Sequence, residues 1–223
     1  MSATAADARM HRPEAVAIAK AFVERIEPYT DQLVVAGSLR RRLARIGDVE
    51  IVCVPKVETV ETPLADLFGT EVVSSQVDVL DATMTMLLDR GVVQKRKKVD
   101  GSWMGWGPRT KYLTFQGARV DLFCAVNDWD KVPAKAEPER FGWILMLRTG
   151  PAAFSRQLVV PTRLDNGKRG MTKDRRPGLM PPTLVAEGGW LRYRTSREPI
   201  ETPTEADVFK LFGLDYQEPW ERT

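Results

Sequence analysis

Three carboxylates set among apolar residues are the part of this sequence best suited to chemistry. Asp48 and Glu50 stand two residues apart at the start of one apolar run, and Asp121 lies within another. On a strand, side chains two residues apart point to the same face, while Val49 between them points into the core. Carboxylate oxygens are the ligands that Mg²⁺ prefers. If the two runs are adjacent strands, the acids converge on a site where two cations about 3.5–4 Å apart could assist phosphoryl transfer.

A glycine–serine pair shortly before these acids has the features of a phosphate-binding turn. Gly37 and Ser38 follow a short apolar run and precede a basic segment, so they are predicted to lie where a strand turns into a helix. Glycine there lets the backbone approach a phosphate, and the first helical N–H groups face it. Arg40 and Arg41 follow and could clamp phosphate oxygens. The same pattern also fits an ordinary turn with a helix cap and an exposed basic helix face.

The elements that must position these residues indicate an α+β fold. The order strand, helix, strand and then further strands predicts a mixed sheet with helices on one face. Strands are predicted at residues 32–36, 49–54, 92–99, 112–115 and 119–125, with a hairpin at residues 184–193. Helices are predicted at residues 13–26, 37–45, 78–88, 141–147 and 151–160. A last helix is predicted from a capping box at residues 202–205 to a stop at Gly213.

A change of composition after residue 126 predicts two parts. Residues 127–138 are polar and contain proline, which favours a linker. This linker divides the chain into residues 1–134, which contain the three acids, and a smaller α/β part at residues 135–223.

The basic residues are segregated into blocks, although the net charge is only +3. Residues 90–119 contain eight Lys or Arg against one Asp, and residues 163–176 contain six Lys or Arg. Such blocks suit a polyanionic partner such as nucleic acid. They also suit a set of solvated basic surfaces, so charge alone does not decide between the two.

The cysteine and histidine content excludes several kinds of site. Cys53 and Cys124 cannot make a disulfide framework, and a single histidine, His11, argues against His-rich zinc sites and His-based triads. The two cysteines are expected to be small apolar strand residues in a reducing compartment. No apolar run approaches the roughly 20 residues that cross a bilayer, and the N-terminus lacks the apolar core of a secretory signal. We therefore expect a cytoplasmic protein without a membrane partner.

Several motifs, in this order, resemble a known family. The segments are Gly37-Ser38-Leu39-Arg40-Arg41, Gly47-Asp48-Val49-Glu50-Ile51, Val120-Asp121-Leu122, Thr149-Gly150-Pro151-Ala152-Ala153-Phe154-Ser155-Arg156 and, near the end, Thr204-Glu205-Ala206-Asp207-Val208-Phe209 and Glu218-Pro219-Trp220-Glu221-Arg222. The first three look like the signature of the nucleotidyltransferase superfamily. All of them together resemble the DNA polymerase beta family, family X, over about residues 18–222.

The resemblance implies a fold, an activity and a set of roles. Residues 1–134 would form the palm with an N-terminal helix, and residues 135–223 a thumb-like subdomain for nucleotide selection, as in the reduced two-lobe form of some viral members. The activity implied is DNA-directed nucleotidyl transfer by a monomer, with a DNA primer/template and a nucleoside triphosphate as partners. It would extend primers or fill short gaps, as in DNA repair, with two Mg²⁺ or Mn²⁺ ions.

The resemblance also assigns individual residues. The catalytic metal ligands would be Asp48, Glu50 and Asp121. Contacts to the nucleotide would come from Gly37, Ser38, Arg41, Gly47, Thr149 and Gly150. Contacts to nucleic acid would come from Lys95, Lys97, Lys98, Lys111, Arg119 and Arg156, with Arg119 also orienting Asp121.

Departures from the family pattern keep two alternatives open. Position 50 is Glu where family X polymerases have Asp, and Leu147 and Arg148 replace aromatic residues that monitor the sugar. Ala152 and Ser155 replace larger residues near the incoming base. One alternative is a template-independent nucleotidyltransferase that acts on RNA, DNA ends or protein. The other is a catalytically weak, nucleic-acid-binding relative.

Overall fold

A mixed sheet and the helices packed on it form the N-terminal part of the protein. The computed structural model describes residues 9–66, 69–127 and 134–222. The helices are α1 (Arg12–Ile26), α2 (Gly37–Arg40), α3 (Val79–Asp89), α4 (Phe141–Thr149), α5 (Ala152–Leu158) and α6 (Glu205–Phe212). The strands are β1 (Met10–His11), β2 (Thr30–Val35), β3 (Arg45–Ile46), β4 (Val49–Pro55), β5 (Val57–Asp66), β6 (Gly69–Asp78), β7 (Val93–Lys95), β8 (Thr110–Phe115), β9 (Ala118–Cys124), β10 (Leu184–Glu187) and β11 (Trp190–Tyr193).

The main sheet has the strand order β2-β4-β9-β8-β7. Its two central strands, β4 and β9, run parallel, and the other neighbours are antiparallel. The β-branched run of β4 and the alternating apolar residues of β9 explain why these two strands are central, since both of their faces must be covered. The predicted α+β class with a mixed sheet is confirmed.

One face of the sheet carries the larger hydrophobic core. Alternate residues of β4 and β9, including Ile51 and Leu122, pack there against Phe22 of α1 and Met84 of α3. Alternation places the intervening residues of both strands on the opposite face. Helix α4 covers that face through Phe141 and Leu145, so the sheet has helices on both faces. The sequence predicted helices on one face only, because it assigned α4 to a separate C-terminal part.

The C-terminal part has its own cluster of buried residues. Trp143 and Met146 of α4 pack there with Phe154 of α5 and with Val208 and Phe209 of α6. Helix α4 therefore contributes one side to the sheet and another to the C-terminal cluster, and it fixes the two parts against each other.

Most of the predicted elements are present, with differences that matter for the site. Helix α2 has a single turn, because Arg42 takes a left-handed backbone with φ of 63° and ends it well before residue 45. The last helix begins two residues later than predicted: Thr204 is its N-cap, and Asp207 completes the capping box. Glu205, predicted to complete that box, is free to make other contacts.

The antiparallel pair β5–β6 is not among the strands predicted from the sequence. Residues 128–133 of the predicted linker lie outside the described residues. Cys53 and Cys124 are buried, unbonded neighbours on β4 and β9, with their Sγ atoms 3.6 Å apart, as expected of apolar strand residues. Within the described segments, no helix has the length and apolar composition needed to cross a bilayer.

Candidate functional site

The three predicted acids lie at one end of the parallel pair β4–β9. Glu50 and Asp121 are direct partners in the register of these two strands. Neighbouring strands lie about 4.8 Å apart, so the two side chains leave the same face of the sheet side by side. Asp48 lies two residues before Glu50, immediately before β4 begins. Pairing of β4 with β9 therefore brings Glu50 and Asp121 together, although they are far apart in the sequence.

The pKa of Glu50 reflects both its burial and its charged neighbours. Burial, together with the negative charges of Asp48 and Asp121, raises the pKa of Glu50 to about 7. The positive charges of Arg148 and Arg41 act in the opposite direction and do not offset these effects. A glutamate in this state is poised to gain a cation, because a bound divalent ion would relieve the repulsion.

Asp121 is buried beside Glu50 and has an arginine partner. Burial raises its pKa to about 6, although Arg96 acts to lower it. Nη2 of Arg96 lies 2.7 Å from Oδ1 of Asp121. This ion pair holds the Asp121 carboxylate against the Arg96 guanidinium. Arg96 rather than the predicted Arg119 holds Asp121 in place, since Arg119 is exposed on β9.

Gly37 is the point at which the turn after β2 touches the acids. Its φ is 63°, and a Cβ atom built on it would lie 1.9 Å from Oε2 of Glu50. The backbone of the preceding residue, Ala36, donates to the Glu50 carbonyl over 2.7 Å. Glycine is therefore required both for the left-handed backbone and for the space that the Glu50 carboxylate occupies.

We expect Gly37→Ala to impair activity far more than stability. The added methyl would displace the Glu50 carboxylate, whereas left-handed strain alone costs about 1–3 kcal/mol. Gly91→Ala is the matched control, because Gly91 has a φ of 69° and a methyl group added there would meet no atom within 4 Å. Melting temperature and nucleotide incorporation should be measured for both variants. Equal activity of the two variants would contradict the proposed role of the space at Gly37.

Ser38 carries the clearest unsatisfied donor next to the acids. Its Oγ is buried, and it has no hydrogen-bond partner among the residues that the structure describes. A buried hydroxyl without a partner costs free energy unless a ligand or water satisfies it. A phosphate oxygen is a suitable acceptor at this position.

Arg41 links the acids to the start of the C-terminal part. Burial lowers its pKa, and the charges of Glu50 and Asp48 act to raise it. Its guanidinium donates to the carbonyl of Thr149, and a Cβ on Gly150 would lie 2.9 Å from its Nη1. The predicted nucleotide contacts from the two halves of the sequence therefore meet around one guanidinium.

Arg40, the neighbour of Arg41, is part of a buried ionic bridge between the two halves. Its Nη1 donates to Oγ1 of Thr149 over 2.7 Å, and its Nη2 lies 2.6 Å from Glu205 of α6. The other carboxylate oxygen of Glu205 accepts from Arg222 over 2.8 Å. Glu205 thus ties the turn after β2 to the C-terminal end of the described chain.

The predicted nucleic-acid contacts divide into exposed and buried groups. Lys95, Lys97 and Lys98 are exposed, and the Nζ of Lys97 lies 4.7 Å from the ring centre of Trp103, itself 58% exposed. Lys111 is buried, 1% exposed, with its ammonium 2.5 Å from Asp81. The prediction that Lys111 contacts nucleic acid is therefore wrong, because strand alternation turns it toward the core.

The other two predicted nucleic-acid contacts are on the surface. Arg119 and Gly47 line a cleft of about 380 Å³ together with Glu14 of α1. Arg156 on α5 is exposed, and its Nη2 lies 2.9 Å from Asp174. Both guanidinium groups are accessible to a ligand, although that of Arg156 already has a carboxylate partner.

Two residues near the acids were not recognised as site residues from the sequence. Arg96 was treated as part of a uniform basic run, but alternation puts it on the opposite side from Lys95 and Lys97. Its backbone N–H donates to Tyr112, which is the register partner of Asp121. Strand alternation could have identified Arg96.

Arg148 is the second unrecognised residue. It lies in the last turn of α4, with its guanidinium 3.8 Å from the ring centre of Phe123. Its charge acts to lower the pKa of both Glu50 and Asp121. Only the packing of α4 on the sheet brings it there.

The three acids supply oxygen donors of the type that a hard divalent cation binds, but their side chains do not form a closed metal site. No three Asp, Glu, Cys or His side chains within residues 9–66, 69–127 and 134–222 converge closely enough to hold a metal ion. Repulsion between unscreened carboxylates favours such separation. Three acids on one face, two of them with raised pKa, together with the unsatisfied Ser38 hydroxyl, suit a cation bound with a phosphate group.

A comparison with known families bears on the C-terminal part. Residues 168–223 match the family model of the DNA polymerase beta thumb. The match covers about a quarter of the chain. It supports a relationship to the DNA polymerase beta-like, family X polymerases, and with it DNA binding. The acids, Gly37 and Arg41 lie outside the matched residues.

Proposed function

We propose that this protein transfers a nucleotidyl group from a nucleoside triphosphate to the 3′-hydroxyl of a DNA primer, as a small family X-like polymerase. The observation that carries the proposal is the in-register pair of Glu50 and Asp121 on parallel strands, with Asp48 beside them. The thumb match gives independent support, because it comes from a different part of the chain. Extension of a primer and filling of a short gap are the reactions that we expect.

The residues of the site fall into two groups, one that would bind metal ions and one that would bind phosphate. Asp48, Glu50 and Asp121 would hold two Mg²⁺ or Mn²⁺ ions. When bound, such ions activate the attacking hydroxyl and stabilise charge on the leaving pyrophosphate. Ser38 would donate its unsatisfied hydroxyl to a phosphate oxygen, and Arg41 would add a charge-assisted hydrogen bond. Glu50 lies on β4 with Asp48 immediately before it, Asp121 lies on β9, and Ser38 and Arg41 belong to the turn after β2.

The raised pKa values predict that cation binding depends on pH. In the metal-free protein, Glu50 has a pKa of about 7 and Asp121 one of about 6. Protons therefore compete with cations, and we expect Mg²⁺ affinity to rise up to about tenfold per pH unit between about pH 6 and pH 7.5. Isothermal titration calorimetry across this range, with Glu50→Gln as control, would measure it. A flat profile for the wild type would contradict the prediction.

The same shifts have a consequence for metal-free stability. An acid whose pKa is higher in the folded than in the unfolded state stabilises the fold below its unfolded pKa, and this contribution is lost as pH rises through the folded value. The metal-free melting temperature should therefore fall between about pH 4 and pH 7, and Mg²⁺ should restore it above that range.

The test of the function is nucleotide incorporation by the purified wild type. Gapped, nicked and single-stranded DNA substrates should be compared, each with dNTPs and with rNTPs, in Mg²⁺ and in Mn²⁺. We expect one or a few nucleotides to be added to a primer opposite a template, with pyrophosphate released. The absence of incorporation on every substrate would exclude the proposal.

A second candidate function is supported by the end of α4. Leu147 and Arg148 stand where the related polymerases have aromatic residues, and Arg148 acts electrostatically on both Glu50 and Asp121. The positive charge of Arg148 could bind the end of a nucleic-acid strand that has no templating base opposite it. Incorporation on single strands that does not depend on the template would favour this template-independent activity over the first candidate.

A further inference from the structure

The segment between α5 and β10 is ordered without helices or long strands. Isolated bridges pair Arg163 with Arg169 and Met171 with Pro177. Backbone hydrogen bonds of 2.8 Å close each loop, from Leu164 to the Lys168 carbonyl in the first and from Thr172 to the Arg176 carbonyl in the second. We call this segment, residues 161–180, the double loop. These bridges and hydrogen bonds pair the backbone of the double loop with itself.

The first loop sets two arginines directly opposite each other. Arg163 and Arg169 are antiparallel partners, and both side chains are exposed. Like charges directly opposite each other on paired strands are destabilising. This arrangement is expected where an anion is shared between the two guanidinium groups.

The acids of the double loop are engaged elsewhere. Asp165 lies 3.9 Å from Arg194. Asp174 lies 2.9 Å from Arg156 and accepts from Thr172 over 2.6 Å. In the described part of the chain, no carboxylate lies within ion-pair distance of Arg163 or Arg169. Their charge is therefore available to a ligand.

The space between these arginines is a cleft of about 470 Å³, lined by Thr162, Arg163, Gly167, Arg169 and Pro182. Paired guanidinium groups match the geometry of phosphate oxygens. Exposed Lys168, Lys173 and Arg175 continue the positive charge along the double loop. A row of cations along a surface fits a chain of phosphates better than one small anion.

We propose that the cleft between Arg163 and Arg169 is a phosphate-binding site for a nucleic-acid strand, separate from the site at Glu50 and Asp121. The proposal rests on the proposed function for the identity of the strand as substrate. The two guanidinium groups hold one phosphate, and the neighbouring lysines follow the backbone on either side. The double loop thereby increases the affinity of the C-terminal part for nucleic acid.

A double-mutant cycle tests whether the two arginines share one phosphate. The variants are Arg163→Ala, Arg169→Ala and the pair, with binding to a fluorescently labelled gapped duplex measured by anisotropy. Each single variant should bind about tenfold more weakly, and the pair clearly less than a hundredfold more weakly, because one shared contact is lost only once. The slope of log affinity against log salt should fall by about 1.

Arg25→Ala is the matched control, since Arg25 is an exposed arginine on α1 outside both basic blocks. Additive losses in the pair, or a pair that binds like Arg25→Ala, would overturn the proposal. A duplex with a 5′-phosphate or a 5′-hydroxyl on its downstream strand separates the two sources of the phosphate. A loss confined to the phosphorylated duplex identifies a terminal phosphate, and an equal loss on both identifies the backbone.

The result is independent of the test of catalysis. DNA affinity is measured without nucleotide. If the wild type incorporates no nucleotide but the double variant binds DNA more weakly than the wild type, only the proposed function is excluded. If the wild type incorporates nucleotides and the double variant binds DNA as tightly as the wild type, only the inference about Arg163 and Arg169 is excluded.

Discussion

Asp121→Asn is expected to lower the rate of nucleotide incorporation by at least about a thousandfold, which corresponds to about 4 kcal/mol in activation free energy. Asparagine is close in size and can still accept a hydrogen bond from Arg96, the partner of Asp121 at 2.7 Å. It cannot supply the negative charge that a divalent cation requires. Because burial disfavours the ionised form of Asp121 and raises its pKa to about 6, the neutral variant should fold with little change in melting temperature.

The control for this variant is Asp31→Asn. Asp31 is exposed on β2 of the same sheet, so the change in net charge and residue type is identical. Single-turnover incorporation, DNA affinity and thermal unfolding should be measured for both variants. Full incorporation by Asp121→Asn would show that chemistry at this site does not use the three acids as proposed.

Glu205→Ala is expected to destabilise the protein by about 3–5 kcal/mol, as removal of one partner from a buried ionic network does. Glu205 is 5% and Arg222 4% exposed. Without the carboxylate, Arg222 keeps the Gln217 carbonyl as its hydrogen-bond acceptor among the described residues, and Arg40 keeps Thr149. The variant should therefore unfold at a markedly lower urea concentration.

An exposed ion pair of the same type provides the comparison. Glu187 and Arg197 lie 3.5 Å apart with more than half of each side chain exposed, so Glu187→Ala should cost less than about 1 kcal/mol. The two values should be obtained by urea unfolding under the same conditions. Similar losses for both variants would mean that the bridge through Glu205 contributes no more than a surface ion pair.

The ion pairs of Glu205 also predict that folding stability depends on pH, with the opposite sign to the effect of Glu50 and Asp121. Burial acts to raise its pKa, but the hydrogen bonds from Arg40 and Arg222 outweigh burial, and the net pKa is lowered. Its stabilisation is therefore present above the unfolded pKa of glutamate and is lost as pH falls through the lower folded value. Glu205→Ala should remove that loss at acid pH.

The identity of the candidate catalytic acids was predictable because strand alternation is a local property. An acid at every second position of an apolar run must share a face with its neighbour, whatever the rest of the chain does. Helices α1 and α3 and the hairpin of β10 and β11 were likewise predictable from local periodicity and turn residues. The contact of Gly37 with a phosphate stays a prediction, and the space that Gly37 leaves for the Glu50 carboxylate is visible only in the structure.

The sequence by itself determined which residues can carry charge, turn the chain or fill a core. Only the tertiary structure decided which of them meet. Pairing of β4 with β9 brought Asp121 to Glu50, and packing of α4 brought Arg148 beside both. Lys111 was turned into the core, and Glu205 became a bridge instead of a cap. The physical reason is that strand order, register and burial depend on contacts between segments far apart in the chain, and local periodicity contains no information about those partners.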